Sequence, residues 1–209
     1  LSLARSCAYD QWSVGKTVIL QKDLSLEGML WEPIPSFSGQ FKGNGHTISD
    51  LTITGQYSPA GRFGSVGVQG SIASVGVRGV VSVSDSADTT TGGIVGINRG
   101  TLISCQFTGV VTGDSEVGGI VGRNESEGTI DHSTARAIVT GKSSTGGIAG
   151  YNLGAITGCT NVGSINTEYP EASLDTDGFT AKMVDYINNK MAAADNDATN
   201  SVTNVATDT

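Results

Sequence analysis

From Gly45 onward, apolar and polar residues alternate over short runs, and the runs themselves recur. "GHTISDLTITG", "GSIASVGVRGVVSVS", "RGTLISCQFTGVVTG", "EGTIDHSTARAIVTG" and "LGAITGCTNVGSINT" align into columns. The first column is Ile48, Ile72, Leu102, Ile130 and Ile156; three residues on stand Leu51, Val75, Cys105, Ser133 and Cys159. Two further are Ile53, Val77, Phe107, Ala135 and Asn161, then Gly55, Gly79, Gly109, Ala137 and Gly163. Val81, Val111, Val139 and Ile165 close each later unit. A step of two places side chains on one face of a strand, so each unit predicts short strands. The step of three between the first two columns predicts a bend or bulge there.

Ahead of three of these units stand "TGGIVGIN", "VGGIVGRN" and "TGGIAGYN", beginning at Thr91, Val117 and Thr145. A unit of 26–28 residues is too short to bury its own apolar face and must rest that face on the next copy. Short strands, glycine corners and this period predict an all-β fold, a parallel β-helix (β-solenoid) in which each repeat is one turn. Equivalent residues then sit about 4.8 Å apart along the axis. The glycines are expected at corners, where φ is positive or close packing excludes a side chain.

Two columns carry side chains with something to say. Asn98, Asn124 and Asn152 follow the glycine pairs at a fixed distance, and stacked asparagines can hydrogen-bond as a ladder. Cys105 and Cys159 share a column with Ser133 between them. Two turns separate them by about 9.6 Å, beyond the ~7 Å Cα limit for a disulfide, so no bond is expected. With Cys7 they make an odd count without metal-ligand spacing, and read as small buried apolar residues. The second unit is longer because "ESE" (Glu125 to Glu127) stands where the first has Arg99, an insertion expected at one corner.

The phrase "GGIVGINRGTLISCQFTGVVTG" resembles the GLUG-motif repeat of bacterial surface proteins. Upstream, "WEPI" and "FKGNGHTI" are similar to the segment that leads into such repeats, and "GRFGSV" stands where Gly-Leu-Phe-Gly is usual, with Arg62 in place of the leucine. The resemblance covers roughly Lys16 to Thr167. It implies a right-handed parallel β-helix in exported proteins, among them adhesins and proteins related to immunoglobulin-A1 peptidases, with the repeats acting as scaffold.

The chain divides into three. Residues 1–15 are expected to form an N-terminal cap, because Leu1, Leu3, Ala4, Cys7 and Ala8 fit a short amphipathic helix that would shield the raw edge of the first turn. Residues 16–167 are the β-solenoid. Residues 168–209 form a helical and irregular tail or insertion: Phe179, Met183, Val184, Ile187 and Met191 make a helical stripe. The closing "TDT" echoes the threonines before Gly92 and Gly146, which predicts a further repeat just past Thr209.

Composition narrows the roles. Glycine supplies 30 of 209 residues, about double average usage. The net charge of −8 argues against nucleic acid as a partner, and no apolar run approaches the ~20 residues of a membrane helix. His46 and His132 fall on distant turns, and no H-E-x-x-H or G-x-S-x-G occurs. "LDTDGF" has the start of a calcium loop, but its twelfth position is Tyr186, without the bidentate ligand. Asp114, Glu116, Glu125 and Glu127 fall in turns and read as solvated charge, not as a matched catalytic pair. No catalytic, cofactor-binding or metal-binding residue is therefore assigned. Arg99, Arg123 and Tyr151, read as the x of a recurring G-x-N, are expected to form an outward ridge and the best contact surface. The expectation is a non-enzymatic, extracellular structural or adhesive module of a larger bacterial surface protein, facing a host or neighbouring-cell protein or glycan. Two alternatives remain: a carbohydrate-binding or carbohydrate-active β-helix, and an accessory domain of a surface peptidase.

Overall fold

The computed structural model describes residues 12–83 and 89–165. The described residues form a parallel β-solenoid of about five turns behind a partial leading turn, and contain no helix. The leading turn holds β1 (Thr17–Ile19) and β2 (Leu24–Ser25). Turn one holds β3 (Ile34–Phe37), β4 (Gln40–Lys42) and β5 (Thr47–Gly55). Turn two holds β6 (Phe63–Val66), β7 (Ser71–Ala73) and β8 (Gly76–Val83). Turn three adds a corner strand, giving β9 (Thr91–Gly92), β10 (Val95–Asn98), β11 (Thr101–Ile103) and β12 (Gln106–Thr112). Turn four repeats it with β13 (Val117–Gly118), β14 (Val121–Asn124), β15 (Thr129–Asp131) and β16 (Thr134–Thr140). Turn five holds β17 (Thr145–Gly146), β18 (Ala149–Asn152), β19 (Ala155–Thr157), β20 (Thr160–Asn161) and β21 (Ser164–Ile165).

Each strand pairs in parallel with its counterparts one turn away, giving four sheets along the axis. One sheet runs β1-β4-β7-β11-β15-β19, a second β2-β5-β8-β12-β16-β20, a third β3-β6-β10-β14-β18 and a fourth β9-β13-β17. The bend between the first two sheets is made by one residue in the left-handed region: Ser74, Ser104, His132 or Gly158, with φ of 45–59°. This is the expected step of three. It aims residues 72 and 77, or 102 and 107, into the same core from two differently inclined strands.

The aligned columns hold through turns two to five. Ile72, Leu102, Ile130 and Ile156 are register partners, as are Val77, Phe107, Ala135 and Asn161. Val81, Val111, Val139 and Ile165 form a third stack. The earliest copy is different. Ile48 pairs with Val77 and Leu51 with Gly79, while Phe41 is the partner of Ile72. Two local features move the register. Asn44 and Gly45 both take positive φ in a turn two residues longer than its successors. A bulge then falls between Ile48 and Leu51, with Asp50 at φ 60°. Val18 extends the corrected first column through Phe41 into the leading turn.

The glycine phrase is explained by contact rather than by dihedral freedom. None of its glycine pairs has positive φ. A Cβ on Gly93 would lie 2.4 Å from Cγ of Phe107 and 2.5 Å from the Gly119 carbonyl oxygen. One on Gly92 would meet the Gly122 nitrogen at 2.6 Å, because the corner strands lie directly against the third sheet. The pair is thus a corner whose side chains are excluded by the turn above and by the core residue opposite.

The interior is aromatic at one end and aliphatic at the other. Phe37, Phe41 and Phe63 pack together with ring centroids 5.3 and 5.5 Å apart, within the favourable range for tilted and edge-on pairs. Arg62 precedes Phe63 at the interior level that Ile94, Ile120 and Ile148 occupy in later turns. Its guanidinium carbon lies 3.7 Å from the Trp31 ring centroid, and Trp31 donates its indole N–H to the Arg62 carbonyl at 3.2 Å. Both residues are buried, so stacking on an indole lets a cation stand at a level that later turns fill with isoleucine.

Of the flanking expectations, residues 12–15 form a turn. The remainder of the cap at 1–11, with Cys7, and all of 168–209, with the helical stripe and the "LDTDGF" loop, lie outside the described residues.

Candidate interaction surface

The third sheet carries the outward ridge. In β6, β10 and β14 three of the four residues are buried and one position per turn is partly exposed. The register places Ser65, Ile97, Arg123 and Tyr151 in that column. Arg99 is not part of it: it lies one residue past Asn98, at the corner, with Ile97 holding the ridge position in turn three. The expected ridge is corrected accordingly. The reason is plain in the phrase itself, since the residue between Gly96 and Asn98 is Ile97.

Arg123 is the centre of the ridge. Its Nη1 pairs with Glu116 Oε1, and its Nε donates to Glu125 Oε1 at 3.1 Å. Its guanidinium carbon lies 4.6 Å from the centroid of the Tyr151 ring. Thr90 Oγ1 donates to the other oxygen of Glu116 at 3.0 Å, and Arg99 approaches Glu125 at 3.7 Å. Partial burial draws Arg123 down, but Glu116 and Glu125 outweigh it and hold the guanidinium above its ordinary pKa. The group spans turns three, four and five, and ties three successive corners together. Of the four carboxylates expected in turns, Asp114 pairs with Lys142, Glu116 and Glu125 with Arg123, and Glu127 accepts from Ser126 at 2.8 Å. The inserted Glu125 to Glu127 does sit at a corner, between β14 and β15.

Beneath the ridge the asparagines form the expected ladder. Asn98 Nδ2 donates to Asn124 Oδ1 at 2.8 Å, and Asn124 Nδ2 donates to Asn152 Oδ1 at 2.8 Å. Each asparagine also holds its own corner: Asn98 Oδ1 accepts from the Gly100 N–H, and Asn124 and Asn152 donate to the Gly128 and Gly154 carbonyls. Asn98 and Asn124 are fully buried, so these are bonds that water does not replace.

The histidines stay apart, three turns from one another. His46 Nδ1 lies 3.1 Å from Asp23, and His132 Nδ1 lies 2.8 Å from Asp131. Cys105 and Cys159 are free and buried, as expected. Burial pushes the Cys105 thiol up to about 12, and burial also raises Cys159. Ser133 links them through the core: its Oγ accepts from the Cys105 N–H at 3.1 Å, and its N–H donates to Cys159 Sγ at 3.4 Å. Among the described residues, no group of three or more His, Cys, Asp or Glu side chains could hold a metal ion, and no helix could cross a membrane.

Comparison with known proteins bears on this geometry. Residues 113–140 match the GLUG motif. Over 99 residues, 47% of its length, the chain is 36% identical to halomucin of Haloquadratum walsbyi (strain DSM 16790 / HBSQ001), and it spans 1% of that protein. A solved structure from Bacteroides ovatus, named as a candidate immunoglobulin A1 protease, aligns with a TM-score of 0.49 at 17% identity, covering 77% of this chain and 74% of that one. The matched motif begins at the loop before β13 and ends with β16, which is one complete turn. Residues 113–140 thus carry a GLUG motif, and that motif is one turn of the solenoid.

Proposed function

We propose that the chain is a non-enzymatic structural and adhesive module, acting outside the cell or at its surface as part of a longer protein. The observation that carries this reading is how the repeated residues are used. Glycines close the corners, asparagines bond turn to turn, and the corner carboxylates are occupied by Arg123, Arg99 and Lys142. Groups engaged in this way build a rod and present its loops; they are not poised for acid–base work. The likeness to a stretch of halomucin that is 1% of that protein supports a module that serves within a much longer chain. The ridge of Ile97, Arg123 and Tyr151 is the surface offered to a protein or glycan, since Tyr and Arg are over-represented among residues that dominate binding.

The test uses the full chain on glycan and extracellular-protein arrays, with reducing-sugar and peptide-cleavage assays on every ligand captured. Binding without turnover, weakened by Arg123→Ala, is the expected result. Release of sugar ends or peptide fragments by the purified chain would sink this reading in favour of a carbohydrate-active or peptidase role.

A further inference from the structure

The leading turn is built unlike the others. Among the described residues, five of the eight exposed large apolar ones are Val14, Ile19, Leu24, Met29 and Leu30. Its two strands are short, and most of their residues are exposed. Leu26 and Trp31 are its buried anchors. Backbone bonds from Leu20, Leu26 and Trp31 to Lys42, Ser49 and Thr52 lay it on turn one.

Side chains add to this: Trp31 bonds the Arg62 carbonyl and Asn44 the Leu20 carbonyl, and two further fastenings depend on carboxylates. Asp23 Oδ1 accepts from the Thr47 N–H at 2.9 Å and lies 3.1 Å from His46 Nδ1. Ser25 Oγ donates to Asp50 Oδ2 at 2.6 Å, and Ser49 Oγ donates to the same oxygen at 2.8 Å. Asp50 occupies the left-handed bulge of β5, so the backbone irregularity that shifts the register also aims its carboxylate at the leading turn. We infer that Asp23 and Asp50 are an acid-sensitive latch, closing the leading turn over the edge of turn one and releasing it when both are protonated.

The chemistry sets the direction. Asp23 is held below the ordinary aspartate value by the Thr47 N–H and then by His46, and Asp50 by Ser25 and then by Ser49. A depressed carboxylate stabilises fully above its unfolded pKa, about 4, and that contribution is lost as pH falls through the lower folded value. The charged groups facing the latch are His46 and Arg78: Arg78 on β8 acts on Asp23 and stands opposite the bulge that carries Asp50. Both carboxylates are shifted downward, so the loss is confined to acid pH. Release uncovers β4 and β5, whose outer edges the leading turn covers at neutral pH. An uncovered edge is a template for strand addition.

Hydrogen exchange of the full chain, corrected for the intrinsic pH dependence of exchange, tests the latch. Between pH 6 and pH 3, protection over residues 16–31 is expected to fall several-fold more than over residues 117–140. In the Asp23→Asn/Asp50→Asn double variant, protection over 16–31 is expected to be low already at pH 6 and to show no further selective fall. Asparagine suits the left-handed backbone at position 50, and protection over 117–140 reports that the variant is folded. The latch is overturned if wild-type residues 16–31 and 117–140 lose protection in parallel, or if the double variant keeps the wild-type pH profile.

Discussion

At the scale of single residues, the solenoid depends on a few side chains with no substitute. Asn124 is the middle rung of the ladder: it accepts from Asn98 and donates to Asn152 and to the Gly128 carbonyl. Asn124→Ala removes these bonds and strands buried polar groups above and below, at a cost of about 1–3 kcal/mol. A shift of the urea midpoint reads this directly. Asn152→Ala is expected to cost less, because Asn152 is half-buried and its lost bonds can be replaced by water. The thiols give a second outcome. Cys105, buried and raised to about 12, carries almost no thiolate at neutral pH, and Cys159 is also buried. Peptide mass spectrometry after iodoacetamide treatment should find both unmodified in the native chain and both alkylated in urea. Alkylation of either in the native chain would contradict its burial.

At the scale of strands and corners, Gly93→Ala tests the reading of the glycine phrase. The added methyl group meets Phe107 and the Gly119 carbonyl, and overpacking of this kind costs about 1–3 kcal/mol. The thermal midpoint should fall, with the parallel β spectrum unchanged below it. The same scale shows what could be read from the chain beforehand. The repeats of turns two to five were legible because Ile72, Leu102, Ile130 and Ile156 recur with nothing inserted between them and the columns that follow. The ladder and the absent Cys105–Cys159 bond followed from that alignment. Turn one departs from its apparent alignment because "TISDLTIT" imitates the alternation of "SIASVGV", while the Asn44–Gly45 turn and the Asp50 bulge lengthen the chain between its core positions. Apolar periodicity alone does not distinguish Ile48 from Phe41 as the residue beneath Ile72. The ion group around Arg123 was invisible for another reason: Glu116, Arg123 and Tyr151 meet only because the solenoid brings successive corners together.

At the scale of the whole molecule, each turn contacts its neighbours along one axis, so stability is close to a sum of turns and the interfaces between them. Turn four is bounded by register partners, Val117 with Thr145 and Asn124 with Asn152. Removing residues 117–144 joins Glu116 to Thr145 and leaves Asn98 to meet Asn152 across the new interface. That shortened chain is expected to fold with the same β content per residue and a lower melting temperature. Removing half as many residues breaks every column and should abolish cooperative unfolding. Ser133 gives the deletion a chemical signature. In the intact chain it keeps Cys105 and Cys159 one turn too far apart to react with each other. Without turn four their Cα atoms stand about 4.8 Å apart, inside the range a disulfide spans. The serine is thus a spacer by which the rod counts its own turns, and an oxidant that links the two sulfurs would report that one turn has been lost.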